Sequence, residues 1–293
     1  VATGIGVAAI GSDTGGSVRI PANFCGVVGL KPSFGAIPLA GALYLSWSCD
    51  HAGPLTRTVS DARVMFEAMA HRGTAHATAP RAARLAVPHD WLASRLAPDV
   101  RDAFARLLDR LRAEGVHVES VPTPNLHLAW KHYSPIVRAE AAYVHRAALA
   151  AGGEGFSKMT LELLRLGQQV SAQDYIEAIQ LREVVRQELR AILRHFDAIA
   201  LPTAAVMPPA RGQTEVEVAD GARMSVREAV LGQTLPFNYA ALPAITLPFD
   251  RIEGLPVGLQ LVGEHDADGR LLALSEWLES RIREQGWFEP TPF

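Results

Sequence analysis

The 293-residue sequence has little that would place it in a membrane, on nucleic acid or around a metal. No apolar run approaches the ~20 residues a membrane-spanning helix needs. Lysine is scarce: Lys31, Lys131 and Lys158 are the only three among 28 basic residues, and the net charge is −3. The arginines are spread along the chain, so there is no basic footprint for nucleic acid. Cysteine is scarcer still. Cys25 and Cys49 offer neither a metal-ligand spacing nor a disulfide framework, which fits a reduced, cytoplasmic setting, and Cys25 is expected to be a packing residue. The chain opens on VATGIG without methionine, so it is read as the C-terminal portion of a longer protein, with any signal peptide upstream.

What the chain does have is 48% hydrophobic residues, enough for the core of one large domain or two. The apolar run Gly6 to Gly11 reads as a buried strand. TVSDARVMFEAMA reads as a helix capped at Ser60, with Val64, Met65, Ala68 and Met69 on one face. Arg84 to Pro88 is a strand, APDVRDAFARLLDRLRAEG an amphipathic helix stopped at Gly115, and VHVESV a second strand. Together they form the strand-helix-strand unit of an α/β protein. Residues 125–196 read as helical. The last helix there starts at Ser171, with Asp174 three residues on, and turns Tyr175, Ile179, Val185, Leu189 and Ile192 inward. FDAIALPTA is a buried strand, EVEVAD with GARMSV a hairpin or a loose loop, and LPAITLPFD and LPVGLQLVG two apolar runs around Glu253-Gly254. A closing helix follows.

The stretch GSDTGGSVRIPA, Gly11 to Ala22, is where chemistry concentrates. Short-motif alternatives fail on context. Gly4-Ile5-Gly6-Val7-Ala8-Ala9 fits a dinucleotide fingerprint, but its strand follows instead of preceding it. Asp13-Thr14-Gly15 matches aspartic proteases, but no second such triplet supplies the other carboxylate. Neither G-x-S-x-G nor a P-loop is present. Ser17 follows a strand and a run of small residues, and the N–H groups of Thr14, Gly15, Gly16 and Ser17 can form a nest for a negative oxygen. A nucleophile beside its own oxyanion hole is what acyl transfer needs. From spacing alone, a structural glycine turn stays the plainer alternative.

Ala9, Gly11, Asp13, Gly15, Ser17, Val18, Arg19, Pro21 and Ala22 occupy the positions of the second half of the amidase signature, and the chain resembles that family. FCGVVGLKPSFG, SCDHAGPLTRTVSDA, FDAIALPT, FNYAALPAITLP and GLPVGLQLVG look like further family blocks in the expected order. The resemblance implies a single domain over residues 1–293, incomplete at its N-terminus, with a variable, mainly helical substrate-side region at 80–195. The implied fold is α/β, a large mixed β-sheet flanked by helices, with an N-terminal part of the sheet missing. It implies a Ser-cisSer-Lys hydrolase in which Ser17 is the nucleophile. The backbone N–H groups of Thr14, Gly15, Gly16 and Ser17 would be the oxyanion hole, and Asp13 and Arg19 would orient the loop. Ser12 falls where the family often has a hydroxyl residue near its lysine. The family's middle serine and lysine base lie upstream of Val1. Lys31, in GLKP, reads as structural, and Lys131 and Lys158 as solvated.

Asp50 and His51 also read as structural, the weaker alternative being that His51 lines the site. His71, His76, His132 and His195 are expected on surfaces or helix ends. Trp130, Tyr133 and Tyr143 either line an aryl-accepting pocket or pack in the core, the latter preferred. The implied activity is hydrolysis of a carboxylic amide to acid and ammonia or amine through a seryl acyl-enzyme, with no metal and no cofactor. The alternatives are the A-type component of a glutamine-dependent tRNA amidotransferase and a catalytically inactive remnant. The expected partner is a small-molecule amide, with no nucleic acid and no membrane. A homodimer is left open, and the chain alone is expected to be poorly stable.

Overall fold

A computed structural model describes residues 1–71, 73–74, 78, 80 and 82–288. Among these, ten strands form. They are β1 (Ala9–Asp13), β2 (Val28–Lys31), β3 (His51–Thr56), β4 (Arg84–Pro88) and β5 (His117–Val121), then β6 (Ala198–Pro202), β7 (Glu215–Glu217), β8 (Arg223–Ser225), β9 (Ala244–Ile252) and β10 (Leu255–Val262). The helices are α1 (Arg19–Cys25), α2 (Val59–Ala70), α3 (His89–Ala93), α4 (Pro98–Ala113), α5 (Leu126–Val144) and α6 (Arg146–Ala150), then α7 (Lys158–Gly167), α8 (Ala172–Leu193), α9 (Val226–Leu231), α10 (Leu235–Tyr239) and α11 (Asp268–Glu284).

Eight strands make one mixed sheet in the order β1-β3-β2-β9-β10-β6-β4-β5. The pairs from β1 to β6 are antiparallel, and β6-β4 and β4-β5 are parallel. The parallel end is the strand-helix-strand unit read from the sequence, and α4 buries Val100, Ala103, Phe104, Leu107, Leu108 and Leu111 beneath it. The β9-β10 hairpin turns at Glu253 and Gly254, both at positive φ. β7 and β8 form a separate two-stranded ribbon, a hairpin rather than a loose loop. Helix α1 lies against β2, β9 and β10, α2 and α11 pack together over β2, β3 and β9, and α5 gathers α7, α8 and α10.

Several local expectations are corrected. β1 begins at Ala9 rather than Gly6 and is not buried: it is a sheet edge paired only with β3, and Ile10 is 66% exposed. The cap of α2 is Thr58, whose side chain accepts from the Asp61 N–H, so its buried face is Val59, Ala62 and Phe66, and Val64 is exposed. In α8, capped as expected by Ser171, the buried positions are Ala178, Arg182, Val185, Leu189 and Leu193, while Ile179 faces out. Cys25 is exposed, because α1 buries Arg19, Ala22 and Asn23 on its other side. His132 is buried in α5, against expectation, and His76 lies outside the described residues. No helix among the described residues is long and apolar enough to cross a membrane, and no group of three or more His, Cys, Asp or Glu there is arranged to hold a metal.

Candidate active site

The glycine-rich stretch runs from the end of β1 to the start of α1, and one buried ion pair shapes it. Asp13 and Arg19 are both fully buried. Arg19 Nε and Nη2 each donate to the Asp13 carboxylate at 3.1 Å. Nη1 donates to the Thr234 carbonyl at 3.0 Å and to Gln260 Oε1 at 2.6 Å, and Nη2 also donates to Asn238 Oδ1. Asn238 returns its amide N–H to the Asp13 carbonyl and Oδ1, at 3.0 and 2.8 Å. Burial alone would raise the Asp13 carboxyl. The Arg19 charge and the hydrogen bonds outweigh it and hold the group well below the usual carboxylate range. Asp13 Oδ2 then accepts the Val18 N–H at 3.1 Å, closing residues 13–18 into a loop.

Within that loop Thr14, Gly15 and Gly16 are buried while Ser17 is exposed. Gly16 has φ +141°, and a methyl group there would meet Thr234 Oγ1 at 2.2 Å and Ile20 Cδ1 at 2.6 Å, so only glycine fits. Thr234 Oγ1 holds the Gly15 carbonyl at 2.7 Å, and the Ile20 N–H takes the Gly16 carbonyl at 2.8 Å. The Gly15 and Gly16 carbonyls are thus engaged. The loop's N–H groups are not: among the described residues, those of Thr14, Gly15, Gly16 and Ser17 donate to no loop carbonyl or side chain. Four free N–H groups beside an exposed hydroxyl form a candidate anion cradle.

The surroundings come from distant segments. Thr14 Oγ1 donates to Asp50 Oδ1 at 2.6 Å, and Asp50 Oδ2 accepts the Leu45 and Ser46 N–H groups at 2.7 and 2.9 Å. Ser46 Oγ passes the chain on to Glu140 Oε2 at 2.6 Å, whose Oε1 accepts from the Tyr175 hydroxyl at 2.9 Å. Tyr133 from α5 reaches the loop itself: a methyl group at Gly15 would lie 2.8 Å from its hydroxyl and 3.8 Å from Leu231 Cδ2 of α9. Burial keeps the Tyr133 phenol well above its usual range, so it is a neutral donor. Of the three aromatics, Tyr133 is buried at the cradle and Trp130 is half-buried. Tyr143, 58% exposed and edge-on to Trp47, is not a core residue.

Ser12 is exposed on β1, and by strand alternation its side chain leaves the sheet opposite Asp13. Lys31 is fully buried on β2. Its amine donates to the Leu242 carbonyl at 2.6 Å, to the Pro32 carbonyl at 3.2 Å and to His51 Nε2 at 3.3 Å. Burial, with the Arg19 charge, pulls it down to about 7. The value suits a base, but none of the amine's three partners is Ser17. His51 keeps Nε2 as acceptor because Nδ1 donates to the Cys49 carbonyl at 2.7 Å, and burial holds it well below its usual range. It also lines a cleft with Phe34, Ile37, Tyr44, Trp47 and Asp50. The Tyr133 approach and the depressed Lys31 lie beyond sequence reasoning, because both depend on burial among residues distant in the chain.

Known proteins share this architecture. The Amidase family model matches residues 1–272. A solved amidase superposes with a TM-score of 0.92 at 46% identity, over 96% of this chain and 64% of that one. The A-type component of the Thermotoga maritima glutamyl-tRNA(Gln) amidotransferase is 30% identical, over all of this chain and 68% of its own length. A 6-aminohexanoate cyclic dimer hydrolase superposes at TM-score 0.82 and 25% identity, over 96% of this chain and 66% of that one. The chain therefore spans about two-thirds of the length of the relatives it matches. The match across residues 1–272, together with the eight-stranded mixed sheet, shows that the chain belongs to the amidase family, the amidase-signature enzymes.

Proposed function

We propose that this chain carries the nucleophile and oxyanion-binding half of an amide hydrolase. The observation that carries the reading is the exposed Ser17 hydroxyl beside the free N–H groups of Thr14 to Ser17. Ser17 Oγ attacks the amide carbonyl carbon, and the carbonyl oxygen gains its negative charge among those N–H groups. Each such donor contributes about 10²–10³ in rate. The Tyr133 hydroxyl, packed on Gly15, is placed to donate to the bound amide. The Ser17 proton passes to a serine and a lysine that the family resemblance locates upstream of Val1. It then leaves on the departing ammonia or amine, and water releases the acid from the acyl-enzyme. Asp13 and Arg19 hold the loop without touching substrate.

A free-standing amidase acting on a small-molecule amide in the cytoplasm is preferred over a component of a tRNA amidotransferase. The 46% identity to a solved amidase supports this against about 30% to the A-type amidotransferase components. The domain is read as one unit over 1–293, with substrate walls from 80–195. A fluorophosphonate probe tests the assignment. The native protein is expected to label at Ser17 and hydrolyse simple amides, and Ser17→Ala to do neither. Labelling at another residue, or unchanged turnover by Ser17→Ala, overturns it. Stable co-purification with the other components of an amidotransferase reverses the preference between the two readings.

A further inference from the structure

We infer that Arg227 is a specificity-determining residue that selects amides bearing a carboxylate one short linker away from the scissile carbonyl, an inference that rests on the Ser17 reading for where that carbonyl sits. Arg227 is exposed at the start of α9, with its guanidinium carbon 5.3 Å from the centre of the Trp130 ring. Stacking on an aromatic face fixes the planar head without consuming its hydrogen-bond donors. Among the described residues it has no ion pair and no hydrogen bond.

Its position relative to the cradle follows from helix geometry. Arg227 and Leu231 are four residues apart, so they share a face of α9 about 6 Å apart along the axis. Leu231 is the residue that approaches Gly15. Trp130 and Tyr133 share a face of α5 in the same way, and the Arg227 charge is felt at the Tyr133 phenol. The free cation therefore stands at the rim of the cradle, about one helical turn from it.

The nearby acids are already engaged. Glu228 is held by both terminal nitrogens of Arg95 at 2.8 Å, Asp13 by Arg19, Asp50 by Thr14, Leu45 and Ser46, and Glu140 by Ser46, Ser48 and Tyr175. An arriving carboxylate meets an unpaired guanidinium, with Leu231 and Trp130 as apolar walls for the linker.

The test compares glutaramate with pentanamide, a pair with the same linker in which a carboxylate replaces the terminal methyl group. Binding is measured by ligand-observed NMR on the native protein carrying Ser17→Ala, and kcat/KM on the protein with Ser17 intact. Glutaramate is expected to bind about tenfold more tightly, the scale of one charge-assisted, two-pronged contact. Arg227→Ala brings the ratio to about one, and Arg227→Glu reverses it. Arg227→Lys keeps part of it, and Arg223→Ala, whose arginine is paired with Glu215, leaves it intact. Equal binding of the two amides, or a ratio that survives Arg227→Ala, overturns the inference. A binding preference without turnover of either amide upholds Arg227 and sinks the Ser17 assignment instead.

Discussion

Replacing Asp13 by Asn keeps the shape of the side chain and removes its charge, which isolates what the buried pair contributes. Arg19 is fully buried and makes five hydrogen bonds, two of them to this carboxylate. In Asp13→Asn one acceptor oxygen becomes an N–H donor, which must face donors from Arg19, Val18 or Asn238. The guanidinium loses the one counter-charge it contacts among the described residues. Breaking a buried pair on one side costs about 3–5 kcal/mol. A domain has about 5–15 kcal/mol in total. At an m value of about 3 kcal/mol/M, the urea midpoint falls by about 1–2 M. The loop loses its closing acceptor for the Val18 N–H, so fluorophosphonate labelling of Ser17 slows beyond what the unfolded fraction explains.

The double variant Asp13→Asn/Arg19→Met removes the stranded charge and is expected to be less destabilised than the sum of the single changes by at least about 2 kcal/mol. Acid titration gives the sign independently. A depressed carboxyl contributes stability that is fully present above its ordinary value of 3.8 and drains away as pH falls toward its folded value. Asp13→Asn lacks that acid limb. A single variant within about 0.5 kcal/mol of wild type, or additive single changes, refutes the view that this pair shapes the cradle.

Two further outcomes follow from the same geometry. Gly16→Ala drives a methyl group to 2.2 Å from Thr234 Oγ1 at a backbone angle that disfavours side chains, and is expected to cost about 2–4 kcal/mol and to abolish Ser17 labelling, while Gly73→Ala, in open space, stays within about 0.5 kcal/mol by urea titration. Lys31 sits in the fold at about 7 against an ordinary 10.5, so the unfolded chain binds the extra proton between those values. Stability from this group therefore rises with pH, by about 2–3 kcal/mol from pH 7 to 9, and Lys31→Met removes that slope in urea titrations run across the range.

Local pattern makes part of this molecule readable. The α4 face, the strands flanking it and the β9-β10 hairpin depend on helical spacing, alternation and glycine punctuation, all contained within a few dozen residues. The loop holding Ser17 is readable because its glycines, Asp13 and Arg19 lie together in the chain. What local pattern misses is tertiary. Whether β1 is buried depends on which strands flank it, and it has one neighbour. Thr58 instead of Ser60 caps α2 because a two-residue offset decides which oxygen meets a free N–H. Tyr133 and Leu231 meet at Gly15 from α5 and α9, and no short-range signal joins those segments.

The partners of Arg19 at Thr234, Asn238 and Gln260 lie 215, 219 and 241 residues further along. At ribosomal rates of about 5–20 residues per second, they emerge about 10–50 s after it. Until they dock, none of these bonds fixes the backbone around Ser17. On the role proposed for Ser17, the nascent chain carries its nucleophile in a disarmed form until the last strands, β9 and β10, have been made and folded into place.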